Sequence, residues 1–163
     1  MRYIILLACL LPLSLTAQDC NLKKGVDDIT SKPTLSTGFI DLTGTTLSID
    51  VNSKEIDFFF VLDNRAVKCL DEETEATFAF EGGKLKIEFK NSGSMNCDGI
   101  FHIIFKNSAY TNSQLNRLAA KKIISIQIKG SNPKPYIIAL TPQQQQMLMN
   151  NISCVIKEAK TVL

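Results

Sequence analysis

The chain has 163 residues, with 18 basic and 16 acidic side chains, a formal charge of +2 and a mean hydropathy of +0.07. That length suits one domain with a substantial core. The longest like-sign runs are Lys23-Lys24, Lys121-Lys122 and Asp71-Glu72-Glu73, so no basic patch is available to displace counterions from nucleic acid, and the acidic run lacks the spacing of a calcium loop.

The N-terminus reads as a secretory signal. Arg2 supplies a positive start, and Ile4 to Leu15 form an apolar run interrupted by Pro12 and Ser14. Ala17 offers a small residue for cleavage before Gln18, although Leu15 is a poor match to the small residue usual two positions earlier. The run is too short to span a bilayer and polar residues follow at once. A lipidation box at Leu6-Leu7-Ala8-Cys9 would leave only Ile4 and Ile5 as its apolar core, so it is the weaker reading. The expectation is a signal at residues 1–17 and a mature domain at 18–163, secreted or periplasmic, with no transmembrane segment of its own. Removing 17 residues leaves 163 − 17 = 146, and loss of Arg2 lowers the formal charge to about +1.

The mature chain patterns mainly as strands. Thr34 to Leu42 and Thr45 to Val51 flank Gly44 as a hairpin, and Glu55 to Leu62 carries Phe58, Phe59 and Phe60, which suggests cover on both faces. Residues Glu75 to Lys90 give the clearest signal. With Gly82-Gly83 as a two-residue turn, partners sum to 165: Ala76, Phe78 and Phe80 face Phe89, Ile87 and Leu85. The other side sets Glu75 against Lys90, Ala79 against Lys86 and Glu81 against Lys84, so one face is apolar and the other charge-paired.

The same arithmetic helps with the cysteines. Cys9 departs with the signal, leaving Cys20, Cys69, Cys97 and Cys154, an even number suited to an oxidising compartment and without a C-x-x-C pair. Extending the hairpin register puts Cys69 opposite residue 96, and one extra residue would bring it to Cys97. Cys69–Cys97 is therefore expected, with Cys20–Cys154 by elimination.

Gly99 to Phe105 alternates as a strand, Ser113 to Ala120 forms a short helix with Leu115, Leu118 and Ala119 on one face, and Lys122 to Lys129 is a strand with Ile124, Ile126 and Ile128 on one face. Gly130 to Pro135 turns into a return strand, Tyr136 to Leu140. The final helix, over 142–160, has Thr141 as N-cap, Pro142 at its first position and Gln144 completing a capping box. Its apolar face comprises Leu148, Ile152, Val155, Ile156 and Ala159, and the Gln143 to Gln146 run reads as polar helix surface. The expected fold is α+β, mainly β: an antiparallel sheet, in one or two layers, with an amphipathic C-terminal helix packed on it.

This layout resembles small secreted proteins of unknown function from the Bacteroidetes group. The resemblance rests on Val26-Asp27-Asp28-Ile29-Thr30, on Tyr110, Gln114-Leu115 and Leu118, and on the Ile124-Ser125-Ile126-Gln127-Ile128 strand before a return strand and helix. Ile29, Ser31 and Gln127 depart from the group's pattern. The resemblance implies a secreted sheet-plus-helix domain and no site residue.

Chemistry is sparse. His102 is the only histidine and sits mid-strand, which favours a structural role over a catalytic base. No G-x-S-x-G elbow, Walker loop or dinucleotide-binding glycine pattern is present. Asp27, Asp28, Asp57, Asp63 and Asp98 could in principle serve a carboxylate-based hydrolase, but none is distinguished from ordinary surface acids, and Trp is absent as a sugar platform. Asn151-Ile152-Ser153 fits a glycosylation sequon inside a helix, and is read as coincidental. The Phe58 to Phe60 cluster reads as core. Together these point to a non-enzymatic exported domain acting on another envelope protein. No catalytic residue, metal ligand or cofactor is expected, and the alternatives are a carrier of a small apolar ligand or the hydrolase.

Overall fold

A computed structural model describes residues 20–63, 69–130 and 134–163. The signal segment with its cleavage point and the centre of the 130–135 turn lie outside the described residues. In chain order the elements begin with β1 (Lys23–Val26), β2 (Pro33–Ser36), β3 (Ile40–Leu42), β4 (Thr45–Val51) and β5 (Glu55–Leu62). Then come β6 (Glu75–Phe80), β7 (Lys86–Lys90), β8 (Ile100–Lys106), α1 (Ser113–Ala120), β9 (Ile123–Lys129) and β10 (Tyr136–Ala139). The long helix α2 (Pro142–Glu158) runs into a 3-10 turn over Ala159–Val162.

The strands pair antiparallel in two sheets. One has six strands, in the order β1-β2-β4-β5-β8 with β3 also paired to β4; the other has four, in the order β10-β9-β6-β7. Period-two patterning decides which side of each strand is buried. In β5, Ile56, Phe58, Phe60 and Leu62 point inward; in β6, Ala76, Phe78 and Phe80 do so. The inner faces meet through aromatic rings packed edge to face, Phe60 on Phe78 at 6.4 Å and Phe89 on Phe105 at 5.5 Å. Helix α2 touches β4 of one sheet and β9 of the other as well as α1, and its Leu148, Ile152 and Val155 join a single apolar cluster with both inner faces. The protein is thus mainly β with a C-terminal helix packed against antiparallel sheets.

Local signals explain most boundaries. The capping box at α2 is present in both directions: the Gln144 amide donates to Thr141 Oγ1 at 3.2 Å and Thr141 N donates to Gln144 Oε1 at 3.0 Å. At β3–β4, Leu42 pairs with Thr45 around Thr43-Gly44, where Gly44 adopts φ 71°. The β6–β7 register sums to 165 at every pair, as expected from the sequence.

Its tip differs from expectation. Phe80 N donates to Leu85 O at 3.3 Å, so residues 81–84 form a longer loop, with Gly82 and Gly83 both at positive φ, 87° and 74°. Glu81 N donates to the Lys122 carbonyl at 3.0 Å, because β9 lies beside β6 and takes that amide; Glu81 is not held against Lys84. Likewise, Glu75 and Lys90 are register partners, yet the Lys90 ammonium binds Glu73 at 2.8 Å.

Both expected disulfides are present. Leu70 and Asn96 bridge one residue out of the hairpin register, which brings Cys69 to Cys97, while Cys20 joins Cys154. On the chain-entropy account, the 28- and 134-residue separations stabilise by about 3–4 and about 5 kcal/mol.

Two further expectations need correction, and one strand was not anticipated. The Thr34 to Leu42 strand is broken into β2 and β3 around Gly38, at φ 66°, where the chain bulges along β4. Strand β1 was not legible, since all four of its residues are exposed and carry no burial pattern. In Phe58 to Phe60 only the outer two rings are buried; Phe59 lies half-buried on the opposite face, which no layer covers fully.

Candidate functional site

The outward side chains of the six-stranded sheet differ from a simple solvated surface. Along β5 these are Glu55, Asp57, Phe59 and Val61, and along β8 they are Ile100, His102, Ile104 and Lys106. Register sets Asp57 between Asp50 on β4 and Ile104 on β8, with Phe59 beside His102. From that diagonal the His102 Nδ1 reaches Asp57 Oδ2 at 2.8 Å, with the two side chains 24% and 22% exposed. The Phe59 ring packs edge-on to the imidazole at 5.0 Å.

The backbone of His102 is held in turn by the 91–93 segment. The Asn91 side-chain carbonyl accepts from the backbone amides of His102 and Gly93 at 3.0 and 3.2 Å. Ser92 N donates to His102 O at 2.9 Å. A Cβ at Gly93 would stand 2.9 Å from His102 Cδ2, so the glycine is what lets this segment lie against the ring. Burial raises the Asp57 carboxyl above its ordinary value, with the hydrogen bond from His102 opposing it. Its second oxygen, Oδ1, is buried without a donor.

Next to this couple lies an open depression of 270 Å³, lined by four carboxylates, Asp27, Asp50, Glu55 and Asp57, together with Ser36 and Asn52. Among the described residues no lysine or arginine lines it; Lys106 stands opposite Glu55. Each carboxylate already has local work. Asp27 Oδ1 accepts from the amides of Ile29 and Thr30 and from the Thr30 hydroxyl, which lowers its pKa and holds the β1–β2 turn. Asp50 accepts from Ser48 Oγ at 2.8 Å, and Glu55 accepts from Asn52 Nδ2 at 3.4 Å.

Of the five aspartates singled out from the sequence, the fold gathers Asp27 and Asp57 and adds Asp50 and Glu55. Asp28 and Asp98 are exposed elsewhere, and Asp63 follows the far end of β5. Asp50 was within reach of sequence reasoning: an Asn52-Ser53-Lys54 turn between β4 and β5 places Asp50 opposite Asp57. The His102–Asp57 couple was not, because it needs the long-range β5–β8 register. Ser92, the hydroxyl nearest in sequence to Asn91 and Gly93, accepts from Ile104 N at 3.4 Å. Among the described residues, no group of three or more His, Cys, Asp or Glu side chains is disposed to hold a metal ion.

Comparison with known proteins returns no match: no family model, no curated protein and no solved structure is similar to this chain.

Proposed function

We propose that this is an exported, non-enzymatic domain that binds another envelope protein through the outer face of its six-stranded sheet. One observation carries the reading: that face joins the four-carboxylate depression to half-buried Phe59, Val61 and Ile100 and to Ile104, which is 40% exposed. An acidic end beside an apolar stripe complements a partner segment with basic and apolar side chains. The two disulfides fit an oxidising compartment outside the cytoplasm, and no helix among the described residues is long and apolar enough to cross a membrane. The signal peptide at 1–17 belongs to the same proposal.

The carrier reading has less support. Phe60, Phe78, Ile126, Leu148 and Ile152, which meet between sheets and helix, are at most 1% exposed, so that space is filled by the protein's own side chains. Hydrolysis by carboxylates draws on the raised Asp57 beside Asp50. It would require an activity that disappears in both Asp50→Asn and Asp57→Asn.

The test is capture from the protein's own envelope fraction, with cross-linking to locate the contact, comparing the native chain with an Asp50→Lys/Glu55→Lys double variant. The reading expects a defined, salt-sensitive complex whose cross-links fall on a basic segment of the partner and on β4, β5 or β8. Capture should fail in the variant while both disulfides and the thermal midpoint are retained. A strictly monomeric protein that captures nothing, or a complex indifferent to the double variant, would sink it.

A further inference from the structure

We infer that the groove between the Cys20-Asn21-Leu22 turn and helix α2 is a second docking site, one that takes an extended, uncharged peptide segment. It is independent of the sheet-face reading and lies on other elements of the fold.

The groove has a volume of 580 Å³ and is lined by Asn21, Leu22, Gln143, Gln146, Met147, Asn150, Asn151 and Cys154. That is within the roughly 300–1,000 Å³ typical of ligand sites. Its chemistry is uniform: five of these residues are primary amides and none of them is charged. The glutamine run is more than polar helix surface, because its members divide their work. Gln144 closes the capping box and Gln145 donates to Leu140 O at 2.8 Å, whereas Gln143 and Gln146 face the groove.

Three of the lining amides, Asn21, Gln143 and Asn151, make no side-chain hydrogen bond to another described residue. A fourth, Gln146, spends one donor on Asn150 Oδ1 at 2.9 Å. Each free amide offers a donor and an acceptor side by side, which matches the N–H and C=O of a peptide group. The α2 portion of the wall runs from Gln143 to Cys154, about 16 Å at the helical rise, or about five residues of extended chain. Leu22 and Met147 are partly buried against the main core and form apolar ground between the amides, Met147 being adaptable to varied side chains. Among the described residues no aromatic ring lines the groove, which weighs against a sugar held by stacking.

The walls are also preorganised. The Cys20–Cys154 disulfide ties the N-terminal turn to the helix, and Leu22 N donates to Cys20 O at 2.7 Å, so little ordering is left for a ligand to pay for.

The experiment uses the mature chain, Gln18 to Leu163, and a fluorescein-labelled, end-blocked hexapeptide pool randomised over Ser, Thr, Asn, Gln, Ala and Leu. Anisotropy should rise with protein and the increase should persist in high salt, since no charges take part. Met147→Lys and Asn150→Lys, each placing an unpaired ammonium in mid-groove, should each weaken binding at least tenfold. Glu88→Lys, which alters charge on the exposed side of β7, should leave it unchanged. Both disulfides are checked by mass and the fold by circular dichroism, and Asn150→Gln, which keeps the amide, should retain most of the binding. No binding up to about 1 mM protein, binding indifferent to both lysine variants, or preference for a neutral cello-oligosaccharide over the peptide pool would each overturn the proposal.

Discussion

The two sheets are alike inside and different outside. Each presents alternating Phe and Ile to a shared core, and the rings that meet there are nearly free of solvent, Phe60 at 0% and Phe78 at 1% exposure. Outside, the four-stranded sheet carries Lys86, Glu88 and Lys90 in water and Glu75 half-buried, with the Lys90–Glu73 pair itself 58% and 75% exposed. The six-stranded sheet instead keeps Asp57, His102 and Phe59 half-buried and Ser48 buried on its outer side. Inner faces are therefore alternative solutions to one packing problem, whereas the outer faces differ in how far their polar side chains are withdrawn from water.

The comparison can be broken most forcefully from within. Phe60→Ala and Phe78→Ala should each destabilise by about 3–5 kcal/mol, because each removes one ring of the same sheet-to-sheet contact. Urea unfolding of the two variants would show it, and a loss confined to one sheet would mean that the inner faces are not equivalent. Outside, His102→Ala should cost about 1–3 kcal/mol at neutral pH, since it strands a carboxylate that already has one oxygen unpaired. Lys90→Ala, breaking an exposed ion pair, should leave the urea midpoint within error. Equal effects of these two substitutions would erase the outer-face distinction.

Replacing the Thr141 hydroxyl offers a reference of intermediate size, remote from both outer faces: Thr141→Ala should cost about 1 kcal/mol by thermal melting, through loss of the cap.

A subtler effect is the pH signature of Asp57. Its folded-state pKa is raised by burial, so the native state holds this proton more tightly than the unfolded chain. The resulting stabilisation is complete below the ordinary carboxylate value, about 4, and is lost as pH rises through the raised value. Asp57→Asn, which cannot ionise, should become progressively more stable than the native protein across that window and keep its advantage at neutral pH. Midpoints measured at several pH values check this. A native advantage that grows with pH would show that the His102 contact outweighs burial.

How much of this could be read in advance depended on the range of the interaction. The 165-sum hairpin, the β3–β4 turn and the capped helix were legible because apolar alternation, glycines at positive φ and the Thr141/Gln144 pair are written within a few residues of one another. The Cys69–Cys97 link followed from the same hairpin, extended by one residue of bulge. Strand β1 left no trace, since it is exposed on every side and is defined only by its backbone pairing with β2. Only the tertiary structure could bring His102 on β8 against Asp57 on β5 or leave Phe59 half-open. Local sequence specifies which side of a strand is apolar. The partners of the side chains on the other side are chosen by strand order across the sheet, which is settled by how two sheets and a helix bury one common core.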